Sequence, residues 1–313
     1  MTMQFRAIAD AAAADGEISA AEVLELRRAG WANGKITPDE AEAIFVINDR
    51  VGAASDEWAE FFVEAVSEFV VNGMEPRGYV EDSQAQWLVE RIDHDGKLDA
   101  LCELELLVKI IERATNAPQA LKDYVLVQIE QAVLSGEGPT RSGNLEKGCV
   151  NAAEAALLRR VIFAQAGDRP AAVGKKEAEM LFRIKDKTLD AANAPEWKLL
   201  FVQGVGNFLM AQSSYNPLSN ERATELEHFM EDATPHLVGF AARMGKADIG
   251  SGFKQVFGQV LGRKKQPVFD RYAEMRAAEA ITTPEQTWLH GQIDANDQVD
   301  EYDRALLDFI KQA

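Results

Sequence analysis

Apolar residues recur along this chain at the three-to-four-residue spacing of a helix face. Phe61, Phe62, Ala65, Val66, Phe69 and Val70 line one side of a stretch whose other side carries Glu60, Glu64 and Glu68. That is the pattern of an amphipathic helix with one buried stripe. Leu101, Leu104, Val108 and Ile111 repeat it, as do Leu157, Val161 and Ile162, and no stretch alternates apolar and polar residues as a half-buried strand would. The spacing predicts an all-α protein. Helix starts are marked at Ser19-Ala-Ala-Glu22, Thr37-Pro-Asp-Glu40, Asn151-Ala-Ala-Glu154 and Thr283-Pro-Glu-Gln286. Each offers a capping oxygen and a side chain three residues later that reaches back to it. Pro38 and Pro284 fall at the first helical position, where the missing N–H costs nothing.

The helical pattern occurs twice. Ile18-Ser-Ala-Ala-Glu22 through Arg27 and Arg28 matches Val150-Asn-Ala-Ala-Glu154 through Arg159 and Arg160. Glu40-Ala41-Glu42, Phe45 and Asp49 recur as Glu177-Ala178-Glu179, Phe182 and Asp186. Glu57-Trp58 and Phe62 recur as Glu196-Trp197 and Phe201. Trp87-Leu88, Ile92-Asp93, Asp95, Leu98 and Asp99 match Trp288-Leu289, Ile293-Asp294, Asn296, Val299 and Asp300. Four blocks in the same order predict a tandem duplication of a helical-bundle lobe. The glycine-rich stretch 135–148 reads as an exposed linker, giving lobes at 1–134 and 149–313. The second lobe holds about 60 residues more than the first between its last two blocks, an insertion at 211–280.

Composition narrows the class. At 313 residues with 47% hydrophobic and 27% charged residues the chain has enough material for a real core. Its formal net charge is -18, from 51 acids and 33 bases, so nucleic acid is not an expected partner. The acid is concentrated at the start: residues 1–140 hold 27 acidic and 11 basic side chains. Two cysteines, Cys102 and Cys149, make no metal-binding or disulfide pattern. No apolar run is long enough for a membrane span and the start lacks a secretion signal, so the expected compartment is the cytoplasm.

The acids suggest one cofactor class, Ca²⁺ or Mg²⁺. Asp15-Gly-Glu-Ile18 through Glu22 looks like the second half of a calcium loop, with Asp15 and Glu22 as its oxygens. Asp93, Asp95, Asp99 and Glu103 form a richer set, repeated as Asp294, Asn296, Asp300 and Asp303. Hard cations take six to eight oxygens, and each set falls short. Turn and capping chemistry accounts for the same letters. Both readings stand at this point.

At Ala14-Asp-Gly-Glu-Ile-Ser-Ala-Ala-Glu22 the chain resembles the TerB-like tellurite-resistance family, whose motif sets Glu seven positions after an acidic residue, as DGxxxxxE. Asp95 fits the family's second acidic block, while Arg91 and Cys102 stand where acids are expected. The resemblance implies compact helical lobes and a link to envelope or metal-ion stress rather than to catalysis.

Other candidates have plainer readings. Trp58, Trp87, Trp197 and Trp288 sit at helical spacing and are expected in the core. Arg27, Arg28, Arg159 and Arg160 are expected to be solvated or ion-paired on helix surfaces. The four histidines are scattered and no nucleophile, phosphate-loop or dinucleotide motif occurs, so no enzyme is expected; Gly204-Val-Gly206 lacks a third glycine. In the insertion, Phe253, Phe257 and Leu261 form an apolar stripe beside Lys254, Arg263, Lys264 and Lys265. Such a helix suits an unknown protein partner or peripheral contact with an anionic membrane through 240–266, or packing on the protein's own core. The expected function is a non-enzymatic interaction or stress-response module, with a calcium- or magnesium-binding regulatory protein as the alternative. An enzyme with an acidic cleft between the lobes is the least favoured reading.

Overall fold

The computed structural model describes residues 3–31, 34–51, 55–73, 76–93, 98, 100–141, 148–166, 172–213, 283–296 and 298–312. Among these the chain is all-α. Its helices are α1 (Met3–Asp15), α2 (Ala20–Gly30), α3 (Pro38–Arg50), α4 (Asp56–Asn72), α5 (Asp82–Ile92), α6 (Leu101–Arg113), α7 (Gln119–Ser135), α8 (Ala152–Ile162), α9 (Lys175–Thr188), α10 (Pro195–Ser213), α11 (Thr283–Asp294) and α12 (Glu301–Gln312). Among the described residues the sole β-like feature is an isolated bridge between Tyr79 and Asn116. No described helix is long and apolar enough to cross a membrane.

The chain divides into two compact units, Met1–Lys147 with Ala164–Pro170, and Gly148–Phe163 with Ala171–Ala313. In unit 1 the central helix is α4, which packs on α2, α3 and α6, while α1 covers α2 and α3 and α7 packs on α6. In unit 2 α10 takes the central place and packs on α8, α9 and α12. The stretch expected as an exposed linker is not wholly so. Gly136 ends α7 in a left-handed conformation, and Thr140 and Arg141 beyond it are buried. Residues 142–147 lie outside the described ones, as does the insertion beyond Ser213.

The helix starts follow from capping chemistry. Ser19 accepts from the Glu22 N–H while Glu22 returns to the Ser19 N–H at 2.8 Å. Asn151 and Glu154 do the same, at 2.8 and 3.0 Å. Glu40 accepts from the Thr37 N–H, with Pro38 as the first helical residue. Thr283, expected to precede its helix, is itself the first residue of α11. Gly16 adopts φ +74, the left-handed turn that lets α1 break into α2. Gly206 serves a different purpose: a Cβ there would lie 2.5 Å from the Phe309 ring, so this glycine brings α12 against α10. The Gly204-Val-Gly206 pair is a packing feature.

Positions paired in the sequence make like contacts within each unit. Trp58 and Trp197 are both fully buried. Phe45 meets the Phe62 and Trp87 rings edge-on at 5.5 Å each, and Phe182 meets Phe201 and Trp288 at 5.1 and 5.7 Å. The Trp87 indole donates to Glu42 at 3.0 Å and the Trp288 indole to Glu179 at 3.3 Å. Edge-to-face contacts of this kind add about 0.5–1.5 kcal/mol beyond burial. One pair differs. Trp58 Nε1 donates to Asn48 Oδ1 at 3.2 Å, but Trp197 Nε1 is buried with no acceptor among the described residues.

That difference is measurable. Trp→Phe removes similar volume from both cores but a hydrogen bond from one. Trp58→Phe should cost about 1 kcal/mol more than Trp197→Phe in urea unfolding; equal costs would contradict the difference in pairing.

Candidate functional site

The helix geometry that buries Phe45 and Phe182 also decides which later residues enter the same interior. Residues three apart share a face, so Asn48 and Lys185 lie one turn further along the same stripes of α3 and α9. The two units fill this position with different chemistry.

In unit 1 Asn48 is half-buried and bridges three elements. Its Oδ1 accepts from Trp58, its Nδ2 donates to Glu103 Oε1 at 3.0 Å, and the Cys102 thiol lies 3.7 Å from Oδ1. Glu103 is buried, and its other oxygen accepts from the Ala100 N–H at 3.1 Å, capping α6. Burial and the neighbouring Glu103 push the Cys102 thiol up to about 11, so it stays protonated and unreactive. Asp93, at the end of α5, accepts from the Tyr124 hydroxyl at 2.9 Å. Burial and this bond hold the Tyr124 phenol well above its ordinary range.

In unit 2 the equivalent place holds a charge. Lys185 is fully buried, and its ammonium donates to Asp300 Oδ2 at 2.8 Å and Asp303 Oδ1 at 2.9 Å, with Asp186 Oδ1 at 3.0 Å. Asp300 and Asp303 each use their remaining oxygen for the start of α12. Asp300 Oδ1 accepts from the N–H groups of Tyr302 and Asp303, and Asp303 Oδ2 from that of Asp300. Asn296 Nδ2 donates to Asp186 at 2.8 Å and to Asp300 at 3.3 Å. The Phe182 and Phe201 rings stand 5.2 and 5.9 Å from Lys185 Nζ, within cation–π range.

Burial works to lower the lysine, but the carboxylates of Asp300 and Asp303 outweigh it and hold the ammonium above its ordinary value. Burial likewise works to raise Asp300, yet its bond to Lys185 leaves it below the usual carboxylate range. Asp303 goes the other way: burial dominates and pushes it up to about 6, against the pull of Lys185. Three carboxylates around one ammonium leave an excess of negative charge, and Asp303 is where a proton relieves it.

The residues singled out in the sequence therefore fall in several places. Asp300, Asp303 and Asn296 converge on Lys185, while Asp294 ends α11. Asp93 and Glu103 are bonded to Tyr124 and to Asn48. Glu22 is engaged in its capping box. Asp95, Asp99 and the side chain of Asp15 lie outside the described residues, as do Phe253, Lys254, Phe257, Leu261, Arg263, Lys264 and Lys265. Among the described residues no group of three or more His, Cys, Asp and Glu is arranged for a metal ion. Where Asp186, Asp300 and Asp303 converge, an ammonium sits between them. The cap bonds also correct the loop register. Ala100, rather than Asp99, stands where Asp300 does: both precede their helices, and Glu103 and Asp303, three residues on, each accept from that residue's N–H.

Two surface features lie apart from these corners. An open groove of about 550 Å³ is lined by Pro76, Tyr79, Glu81, Asp82 and Pro118 among others. Its acids stand at the start of α5, where the helix dipole favours them. On the outward face of α4, Glu57, Glu60 and Glu64 are exposed at spacings of three and four, with Glu68 beyond. Arg27 pairs with Glu64 and Arg113 with Glu68. Glu68 is partly buried, but the Arg113 guanidinium and Asn72 hold its carboxyl below the usual range. The position paired with Glu57 in unit 2 is again an acid, Glu196, but those paired with Glu60 and Glu64 are Leu199 and Gln203, so the run of acids belongs to unit 1. No family model, curated protein or solved structure matches the chain.

The sign of the pH dependence follows from Asp303. Its folded carboxyl binds a proton more tightly than the unfolded one, so its contribution to stability is fully present near pH 4 and is lost as pH rises through about 6. Asp300, depressed in the fold, contributes oppositely but only as pH falls through the ordinary carboxylate range. Unit 2 should therefore melt higher at pH 5 than at pH 7, and Asp303→Asn should flatten that trend. A melting temperature that falls from pH 7 to 5, unchanged by Asp303→Asn, would contradict the assignment.

Proposed function

We propose that the chain is a non-enzymatic interaction module of a cytoplasmic stress response, built from two copies of one TerB-like helical lobe, in which unit 1 docks a basic protein partner. The observation that carries this reading is the exposed glutamate ladder of α4. It lies in the part of the chain where acids outnumber bases by 27 to 11, and its counterpart face in unit 2 keeps one of the three acids, Glu196. Such a field steers a positively charged surface and fixes its register more than it adds affinity. Support for a non-catalytic role comes from the buried acids. Glu103, Asp300 and Asp303 each hold a helix start and a neighbouring side chain, which are structural duties. Two lobes from one ancestor are supported by the like contacts of Trp87 with Glu42 and Trp288 with Glu179.

Glu57→Gln with Glu60→Gln tests the docking face, because neither side chain is buried. Cross-linking in native cells should join a basic protein to α4 of the wild type, with at least a tenfold loss in the double variant at unchanged helicity. Equal cross-linking of both would refute the face.

A second reading, a Ca²⁺- or Mg²⁺-responsive protein, rests on one observation: Asp93 and the buried Glu103 bracket residues 94–99, and both are oriented by neighbours, Tyr124 and Asn48. Calorimetry separates the two readings. Under the first, Ca²⁺ or Mg²⁺ at about 1 mM gives no heat above buffer. A micromolar dissociation constant that is lost in Asp95→Ala would establish the second.

A further inference from the structure

We propose that unit 2 contains a cation site whose resident cation is the chain's own Lys185 ammonium, placed there for its charge, so that the α9–α12 corner is held closed without a dissolved ion. This goes beyond the docking face of unit 1 and does not depend on it.

Four features of the corner are those of a built cation site. Three carboxylate oxygens, from Asp186, Asp300 and Asp303, lie 2.8–3.0 Å from one fully buried Nζ. The far oxygens of Asp300 and Asp303 are fixed by backbone N–H groups, and Asn296 ties Asp186 to Asp300, an outer shell that orients the inner one. Independently of the acids, two aromatic rings face the same point, and an aromatic face favours a cation over any neutral group. Finally, the lysine is not the packing solution. Unit 1 fills the same helix position with Asn48, which satisfies Trp58 and Glu103 without a charge. An ammonium has no lone pair to accept with, and in unit 2 the buried Trp197 N–H is left without an acceptor among the described residues. Unit 2 tolerates an unsatisfied donor and a buried charge, both of which unit 1 does without at the paired positions.

Removing the lysine alone from a plain buried ion-pair network also destabilises it, because the carboxylates are left unpaired; what such a network does not predict is rescue by a dissolved cation. Lys185→Gln, with Lys185→Met as its apolar control, discriminates. If the site requires a cation, both variants melt about 10 °C below the wild type in buffered NaCl with chelator. Lys185→Gln, which vacates the site and supplies an amide oxygen, then regains at least half of that loss with roughly 5 mM CaCl₂ or MgCl₂ at matched ionic strength, within the range of weak oxygen sites. The wild type does not shift with either salt or with chelator. If Lys185→Gln does not fold without added cation, its refolding yield by circular dichroism replaces the melting temperature as the readout. Three results would overturn the proposal: Lys185→Met as stable as wild type, no recovery of Lys185→Gln with either ion, or a wild type whose unit 2 transition is itself raised by Ca²⁺ or Mg²⁺.

Discussion

Each unit depends on an aromatic residue driven into the crossing of two helices, Phe45 in one and Phe182 in the other. Burial of such a ring is worth roughly 1.5–3 kcal/mol, more than most polar contacts can oppose. Helical periodicity then forces the residue one turn later into the same interior, whatever its chemistry. A polar group taken inside must find its partners there or shed its charge. Unit 1 meets this constraint with Asn48 and its bonds to Trp58 and Glu103. Unit 2 meets it with Lys185, and the rest of that corner is organised around the ammonium.

The consequence in unit 2 is a coupling of tasks that are separate in most helical proteins. Asp300 and Asp303 form the cap that begins α12, and the same two side chains receive the charge from α9. A helix start is a local feature worth about 1 kcal/mol, but here it is tied to a contact more than a hundred residues away in sequence. Loss of the ammonium would leave like charges crowded at that cap, so α12 and its packing through Phe309 on Gly206 would suffer together. In unit 1 the cap of α6 uses one acid, Glu103, and a neutral partner, Asn48, so its charge balance is easier.

Much of the fold was legible in the sequence because its signals are local. The capping boxes at Ser19 and Asn151, the apolar stripe of α4 and the paired tryptophans depend on spacing alone. Less was legible where contrast is low. The alanine-rich run of α1 hides a buried edge made by Phe5, Ile8 and Ala9, and α7 is apolar on more than one side, with Val127 and Leu134 exposed opposite its buried residues. Matching Asp99 to Asp300 letter for letter puts the loop one residue out of register, because the caps decide it. Lys185 carries no local mark, since a lysine in a helix reads as solvated. Its signal lies in the stripe: Ala178, Leu181, Phe182 and Lys185 share one face, and a cation on an apolar stripe needs acids from elsewhere in the chain.

The α9–α12 corner of unit 2 depends on Lys185 being a charged ammonium in the interior. The most direct measurement is the titration of its side chain followed through the Lys185 ¹³Cε resonance. A lysine held by Asp300 and Asp303 keeps the shift of the charged form up to and beyond the ordinary lysine value of about 10.5. A lysine buried without effective partners loses its proton early, as desolvated lysines do, and a ¹³Cε titration midpoint well below that value would contradict the account.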